Sequence, residues 1–191
     1  MISIYVDINF EINVYIDVKL LGRLVLARMA GNYIDALLDK YSKTLLESVE
    51  TLECRGRFRM FFPNFFTFVQ VHDDFANIAT EILSSSGFQR SSLMEKTNTP
   101  RTHISIMNKR EQRRVSRMKA YEVRKKWRGS KVTFQIEKVQ MWWHYCQGAE
   151  KKLVCCFKIN SSMIDAIRED LGLDPYSFDY NMHMSISEKY M

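Results

Sequence analysis

The sequence predicts an α+β fold of two lobes related by an internal pseudo-repeat. Three observations predict it. The order of buried strand, amphipathic helix, loop and short strand occurs twice along the 191 residues, and each copy ends in a histidine, apolar, serine, apolar tetrapeptide. The composition, with 46% hydrophobic residues but only 7 Gly and 3 Pro, is typical of a packed globular core and excludes a disordered or collagen-like chain.

Residues 1–60 are predicted to form an N-terminal strand and helix extension packed on the core. Every even position from residue 2 to residue 18 is apolar, which is the period of a β-strand. Because strands usually span about 3–10 residues, a bend or a hairpin is expected near Asn9 or Asn13. After Gly31, apolar residues at helical spacing predict a long amphipathic helix.

The first copy of the repeat opens the main domain, which is expected to cover residues 61–191. Phe65 to Val71 is rich in aromatic and β-branched residues and predicts a buried strand. Residues 72–74 supply an N-cap and favourable negative charge for a helix that the cluster at 84–87 ends. A short strand around Arg101 to Met107 completes the copy.

A strongly basic segment, Lys109 to Arg128, separates the two copies. It holds ten Lys or Arg against two Glu, a local charge of +8, and because the whole chain carries +6 the remainder carries −2. A narrow apolar stripe that includes Val115 and Met118 predicts a helix. Such local basicity favours one surface that faces phosphate, with RNA as a partner, although a charge run is also typical of a solvated helix face.

The second copy follows in the same order. Val132 to Trp143 and Lys152 to Ile159 predict strands, and a serine at 161–162 is positioned to cap a helix that ends at Gly172. The stretch from Asn181 to Ser187 predicts the second short strand.

The tetrapeptides place His103 and Ser105 in the first short strand and His183 and Ser185 in the second. Because alternate residues of a strand share a face, each strand would bury its apolar residues and present an imidazole and a hydroxyl on the other face. A single histidine followed by a serine is ordinarily a hydrogen-bonded surface or core residue. The recurrence at matched positions of the two copies favours a functional site.

This pair of motifs resembles the 2H phosphoesterases, also called LigT-like, whose members carry one HxS or HxT signature in each of two lobes around a central cleft. The resemblance covers about residue 61 to the C-terminus. It implies cofactor-free, metal-independent cleavage of nucleotide phosphodiester bonds by the catalytic residues His103, His183, Ser105 and Ser185. One imidazole would take a proton from the attacking oxygen, the other would protonate the leaving oxygen, and the serines would donate to the phosphate. The sequence leaves open which histidine is the base.

Within that family, the Met-rich and aromatic-rich chain with its extra N-terminal elements resembles the viral branch. That branch includes phage anti-CBASS enzymes that degrade cyclic oligonucleotides and viral 2',5'-oligoadenylate phosphodiesterases. The resemblance implies a cyclic or 2',5'-linked oligonucleotide substrate in the host cytoplasm, with RNA ends that carry a 2',3'-cyclic phosphate as the alternative. Four cysteines without CxxC spacing also favour a reduced, cytoplasmic protein.

Other residues are candidates for substrate binding. A cation beside the first motif would hold phosphate, aromatic side chains would stack on a base, and two residues follow the second motif closely. Aromatic residues in such positions are more often part of the core. The candidates are Arg101, Trp142, Trp143, Tyr176, Tyr180, Lys189 and Tyr190.

Two rival interpretations come from other classes of protein. A non-catalytic RNA or nucleotide-binding module would use the basic segment and the aromatic residues, but it would need neither histidine. A metal site is disfavoured because no HxxxH, HxH or CxxC spacing occurs. No membrane partner and no secretory signal are expected, since no apolar stretch approaches 18 residues and the first residues alternate polar with apolar.

Overall fold

The computed structural model describes residues 3–6, 12–15, 18–61, 65–90, 102–145, 151–175 and 182–190. The chain divides into two compact units, Met1–Lys40 and Tyr41–Met191. Helix α1 (Val18–Val49) begins in the first unit and ends in the second. In the described ranges, no helix combines the length and the apolar character that crossing a bilayer requires.

The first unit contains a β-hairpin. Strands β1 (Ser3–Val6) and β2 (Ile12–Tyr15) pair antiparallel, with Ile4 opposite Val14. The alternating N-terminal run is therefore two short strands, as its length predicts, and the connecting residues 7–11 lie outside the described residues.

Helix α1 begins earlier than the sequence predicts, at Val18 and not after Gly31. Glycine within a helix costs about 1 kcal/mol relative to alanine, which is too little to end a helix of 32 residues. Its last turns belong to the second unit, where Leu45 and Val49 are almost completely buried.

Seven strands of the second unit form one curled antiparallel sheet, in the order β6-β3-β4-β5-β9-β8-β7. The fold is α+β, as predicted. The strands are β3 (Arg55–Phe61), β4 (Phe66–Val71), β5 (His103–Ser105), β6 (Lys131–Thr133), β7 (Gln135–Tyr145), β8 (Lys151–Asn160) and β9 (His183–Tyr190). The accompanying helices are α2 (Asp74–Leu83), α3 (Lys109–Gln112), α4 (Arg117–Trp127) and α5 (Ser162–Asp170).

The order of elements repeats along the chain. The first series is β3, β4, α2, β5, and the second is β7, β8, α5, β9. In the sheet the strands of each series run from an outer position toward the centre, so their last strands, β5 and β9, are neighbours. Strand β3 begins at Arg55, inside the range 1–60 that the sequence analysis assigns to the extension.

One face of the sheet is buried in the core. Strand β3 shows the alternation clearly, because Phe58 and Met60 are buried while Arg57 and Arg59 are exposed. Full burial of a large apolar side chain contributes about 1.5–3 kcal/mol. The buried residues of the two flanking helices are Phe75, Ala76, Ala79 and Leu83 in α2 and Ile164, Ile167 and Arg168 in α5.

Helix caps follow the sequence in part. The Ser161 hydroxyl accepts a hydrogen bond from the Ile164 amide at 3.2 Å, so the predicted cap of α5 is present. Asp73 occupies the N-cap of α2 but makes no side-chain cap hydrogen bond. Its carboxylate instead accepts from the Thr102 hydroxyl at 2.9 Å and pairs with Arg90 at 3.1 Å. This anchors the residue that immediately precedes β5.

Candidate active site

The two histidine motifs lie side by side in the centre of the sheet. Strands β5 and β9 pair antiparallel with Ile104 opposite Met184, and both of these side chains are fully buried. The residues on either side of this pair project from the opposite face, where each histidine faces the serine of the other motif. The resulting cross-strand pairs are His103 with Ser185 and Ser105 with His183.

Cross-strand register fixes the approximate spacing of the four side chains. Residues directly opposite have Cβ atoms about 4.5–5.5 Å apart, and diagonal neighbours such as His103 and His183 lie about 7–8 Å apart. All four side chains are partly exposed. Two imidazoles and two hydroxyls therefore surround one accessible position on the sheet, which we call the motif face.

Aromatic rings hold each imidazole edge to face. The rings of Phe66 and Phe68 lie 5.7 and 5.6 Å from that of His103, with interplanar angles of 83° and 71°. Trp142 makes the equivalent contact with His183, at 4.9 Å and 83°. These contacts limit rotation of both imidazoles, which favours a preorganised site.

The two neighbouring tryptophans of β7 project from opposite faces of the sheet. Trp142 reaches the motif face through its contact with His183. Trp143, the next residue, projects to the other side, where its cross-strand partner is the buried Leu153. Of this predicted pair, the structure brings only Trp142 to the histidines.

Strand β9 contains a β-bulge just after the second motif. Consecutive residues of β8, Cys155 and Cys156, pair with Ser187 and Ser185, so Ile186 is an extra residue in β9. A bulge shifts the alternation of side chains along the strand by one. Even-numbered residues therefore share the motif face beyond this point.

This shift separates two predicted substrate-binding residues. Tyr190 shares the motif face at the far end of β9, where its hydroxyl donates to the Glu188 carboxylate at 2.9 Å. Glu188 also pairs with Lys152 at 2.5 Å, and both side chains are almost completely buried. Lys189 lies on the opposite face, and its Cε would be 3.5 Å from a Cβ built on Gly87.

Three further sequence candidates, Arg101, Tyr176 and Tyr180, lie outside the described residues. The basic segment, predicted as one helix, forms two, α3 and α4. Helix α4 packs on α5 and β3, and both Lys126 and the Trp127 indole bind Asp170, at 2.7 and 2.6 Å. Hydrogen bonds from those two side chains lower the pKa of Asp170.

A cysteine on the motif face is a poor nucleophile. Cys156 pairs with Ser185 across β8 and β9, so it shares the face of the histidines. Burial raises the pKa of Cys155 to about 12 and, together with the neighbouring Cys155, also raises the pKa of Cys156. Because the thiolate is the reactive form, both thiols are inert near neutral pH. The imidazoles and hydroxyls are therefore the candidate reactive groups of this face.

A buried arginine supports the first motif from behind the sheet. Arg168 of α5 donates to the carbonyl of Ile106, to the carbonyl of Asp174 at 2.8 Å, and to Glu111 at 2.6 Å. Burial would raise the pKa of Glu111, but hydrogen bonds from Arg168 and from the Asn108 backbone outweigh it and the pKa is lowered. Helix α5 of the second series is thus fastened to the residues that follow β5.

Sequence analysis missed three cations on the motif face, and we call Arg57, Arg59 and Lys131 the cation strip. Arg57 pairs across the sheet with Lys131 on one side and with Gln70 on the other, and Gln70 pairs in turn with His103. Arg59 donates from Nε to the Gln70 side chain at 3.1 Å. The alternation Arg-Gly-Arg-Phe-Arg-Met-Phe from residue 55 is the signal that would have found them.

Gly56, next to Arg57 in β3, allows β3 to lie close to β4. A Cβ at this position would contact Val69 Cγ1 and lie 2.5 Å from the backbone oxygen of Gln70. No side chain fits at that distance, so glycine is required for the close contact of β3 with β4.

The strip borders an open cleft of about 550 Å³. The cleft lies beside the histidines and not over them, since its lining includes Gln70 but neither motif histidine. Two carboxylates also line it, and both have partners: Glu53 pairs with Arg55 at 2.5 Å, and Asp74 pairs with His72 at 2.9 Å.

Among the described residues, no group of three or more histidine, cysteine or acidic side chains is arranged to hold a metal ion. No family model, curated protein or solved structure matches this chain. The geometry of the motif face is therefore the basis for a functional assignment.

Proposed function

We propose that the protein is a phosphodiesterase that cleaves a nucleotide phosphodiester bond by two-histidine general acid–base catalysis. The observation that carries the proposal is the register of β5 and β9, which puts both HxS motifs on one face with each histidine opposite the other motif's serine. The two-lobed cleft fold implied by the resemblance to 2H phosphoesterases is part of this proposal.

The chemistry needs two proton-transfer groups on opposite sides of phosphorus. In an in-line displacement, one imidazole removes the proton of the attacking hydroxyl or water, and the other donates a proton to the leaving oxygen as its bond to phosphorus breaks. A spacing of about 7–8 Å between diagonal neighbours leaves room for a phosphate between His103 and His183. Because imidazole titrates near neutral pH, one ring is available as the base and the other as the acid.

The serines supply electrostatic stabilisation. Ser105 and Ser185 lie between the histidines in the cross-strand pairs, so their hydroxyls are positioned to donate to the non-bridging phosphate oxygens. Such donors are most effective where charge increases in the transition state. The substrate class that the resemblance implies is a cyclic or 2',5'-linked oligonucleotide signalling molecule, cleaved without a metal or other cofactor.

The test is a cleavage assay with single-histidine variants. Cyclic dinucleotides, cyclic trinucleotides, 2',5'-oligoadenylates and RNA with a 2',3'-cyclic phosphate are incubated with the protein and EDTA, and products are separated by chromatography. His103→Ala and His183→Ala should each lower kcat by at least about 10²-fold, since general acid–base catalysis contributes about 10²–10⁴ per group. Rates should follow a bell-shaped dependence on pH.

His144→Ala is the matched control, because His144 is exposed and belongs to neither motif. It should leave the rate unchanged. Near wild-type turnover in either motif variant would overturn the mechanism, and loss of activity in EDTA would replace it with metal catalysis. If no substrate is cleaved but nucleotides bind equally well to wild type and to both motif variants, the protein is the non-catalytic binding module.

A further inference from the structure

We infer that the cation strip is a second phosphate-binding subsite, which holds a phosphate of the substrate that is not cleaved. The substrate is then an oligonucleotide with at least two phosphates, and its backbone continues from the histidines across β4 toward β3. This inference rests on the proposed function for the cleaved phosphate, whereas the strip itself is a separate set of residues.

Sheet geometry sets the distance between the two phosphate positions. Arg57, Gln70 and His103 are cross-strand neighbours in one row. Adjacent strands are about 4.8 Å apart, so the backbone at Arg57 lies about 10 Å from that at His103. The guanidinium of Arg57 therefore faces a position beside the cleaved phosphate, at the edge of the open cleft.

Electrostatics in the strip favour an anion. Arg57 and Lys131 are directly opposite each other in β3 and β6, and both are exposed. Like charges directly opposite in a sheet destabilise it. In the described part of the chain neither side chain has an ion-pair partner, because both carboxylates of the cleft pair with other residues. A bound phosphate oxygen would relieve this repulsion.

Arg59 extends the strip toward the histidines. Its Nε donates to the Gln70 side chain at 3.1 Å, which holds the guanidinium over β4, one strand from His103. The terminal nitrogens of this guanidinium have no acceptor among the described residues. A planar pair of N–H donors suits the oxygens of a phosphate.

The equivalent positions of the second series carry less charge. Lys158 pairs across the sheet with His183, as Gln70 does with His103, and it is neutralised by Glu137 at 2.6 Å. Lys138 takes the place of Arg57 and Gln140 takes that of Arg59, so one cation of the second series corresponds to two of the first. The first series therefore offers more cations to an additional phosphate, and this difference gives the bound oligonucleotide a preferred direction.

The experiment measures binding in a His103→Ala background, where bound oligonucleotide is not consumed. The probes are 2',5'-linked oligoadenylates of two, three and four nucleotides with unphosphorylated ends and a neutral fluorophore, which carry one, two and three phosphates. Fluorescence anisotropy gives Kd at several salt concentrations. The test variant combines Arg57→Gln, Arg59→Gln and Lys131→Gln. The matched control combines Arg117→Gln, Lys119→Gln and Lys125→Gln, three exposed cations of α4.

The test variant should bind the three- and four-nucleotide probes at least about 10-fold more weakly and the two-nucleotide probe almost normally. For this variant, the slope of log Kd against log salt concentration should decrease by about 0.7, because one phosphate contact is lost. The control variant should match the parent in both respects. A urea midpoint of the test variant that is equal to or above that of the parent shows that a loss of folding is not the cause.

Three outcomes would each refute the proposal of a second phosphate subsite. They are equal effects of the two triple variants, no effect of the strip variant, and failure of every probe to bind. The histidine assay is independent of these outcomes. If no phosphodiester is cleaved yet the strip variant alone loses affinity for the longer probes, the proposed catalysis is wrong and the phosphate subsite stands.

Discussion

Replacement of Arg168 by methionine should destabilise the second unit strongly, because the guanidinium is buried and donates to one carboxylate and two carbonyls. Its side chain is 3% exposed, and it binds Glu111 at 2.6 and 3.3 Å as well as the carbonyls of Ile106 and Asp174. Methionine fills a similar volume but leaves a buried carboxylate and two carbonyls without these donors.

The expected loss is about 3–5 kcal/mol in the free energy of unfolding, which is typical when one partner of a buried ion pair is removed. For a chain of 191 residues, each 1 kcal/mol lowers Tm by about 2–4 °C. The expected decrease in Tm is therefore about 6–20 °C. Urea unfolding followed by circular dichroism measures the same loss as a shift of the midpoint at unchanged m-value.

Two controls make this prediction specific. The double variant Arg168→Met with Glu111→Leu should regain part of the lost stability, because it removes the unpaired buried carboxylate, while the two carbonyls and the Asn108 amide still lack their partners. Lys126→Met, which breaks the more exposed pair with Asp170, should cost less than about 1 kcal/mol. If Arg168→Met costs no more than Lys126→Met, or if Glu111→Leu brings no recovery, the buried pair does not have the role assigned to it.

The pair also predicts a pH dependence. The pKa of Glu111 is lower in the folded protein than its usual value of 4.5. The ionised carboxylate therefore adds stability above pH 4.5, and this contribution is lost as the pH falls through the lowered folded-state pKa. The difference in urea midpoint between wild type and Arg168→Met should narrow below that pH. A constant difference down to pH 3 would contradict the assignment.

Three further changes test other parts of the second unit. Ser105→Ala should lower kcat by about 10²–10³-fold, whereas Ser105→Thr, which keeps a hydroxyl, should retain most of the activity. Equal kcat values for the two variants would exclude a hydroxyl donor at this position. Gly56→Ala should lower the free energy of unfolding by about 1–3 kcal/mol, because the new Cβ would clash with the neighbouring backbone. The control Gly31→Ala, which has open space around it, should be neutral or stabilising. Equal effects of the two variants would contradict the close strand contact. Cys155 and Cys156 should resist thiol reagents at pH 8 until urea unfolds the protein, and fast native labelling would contradict their raised pKa values.

Local alternation was enough to predict the motif strands. In His103-Ile104-Ser105-Ile106 the period of two assigns apolar and polar residues to opposite faces, and the structure has this pattern with Ile104 fully buried. That β5 lies next to β9 could not be predicted, because strand pairing over such a sequence separation depends on the path of the whole chain.

Other features were missed because local signals conflict with the tertiary structure. Strand β3 alternates arginines with Gly56 and apolar residues, and both arginine and glycine are typical of loops and edges, so the segment was not predicted as a strand. The bulge at Ile186 shifts the alternation, and it places Lys189 away from the histidines although simple counting places it with them. A single extra residue in one strand leaves no mark in the local sequence pattern.

The mirrored placement of the two series about the β5–β9 pair has a consequence for the direction of the proposed reaction. Antiparallel pairing of Ile104 with Met184 gives the motif face a local two-fold axis between the two motifs. A phosphodiester has distinct entering and leaving sides, so a symmetric pair of motifs would accept the proposed substrate in either of two opposed orientations, with the roles of the imidazoles exchanged. The orientation of the substrate would then depend on the residues around the axis, which differ on the two sides. Two phenylalanines lie beside His103, an indole lies beside His183, and the charge on the two flanks is unequal. In the proposed mechanism, the residues around the axis, and not the motifs themselves, would decide which histidine acts as the base.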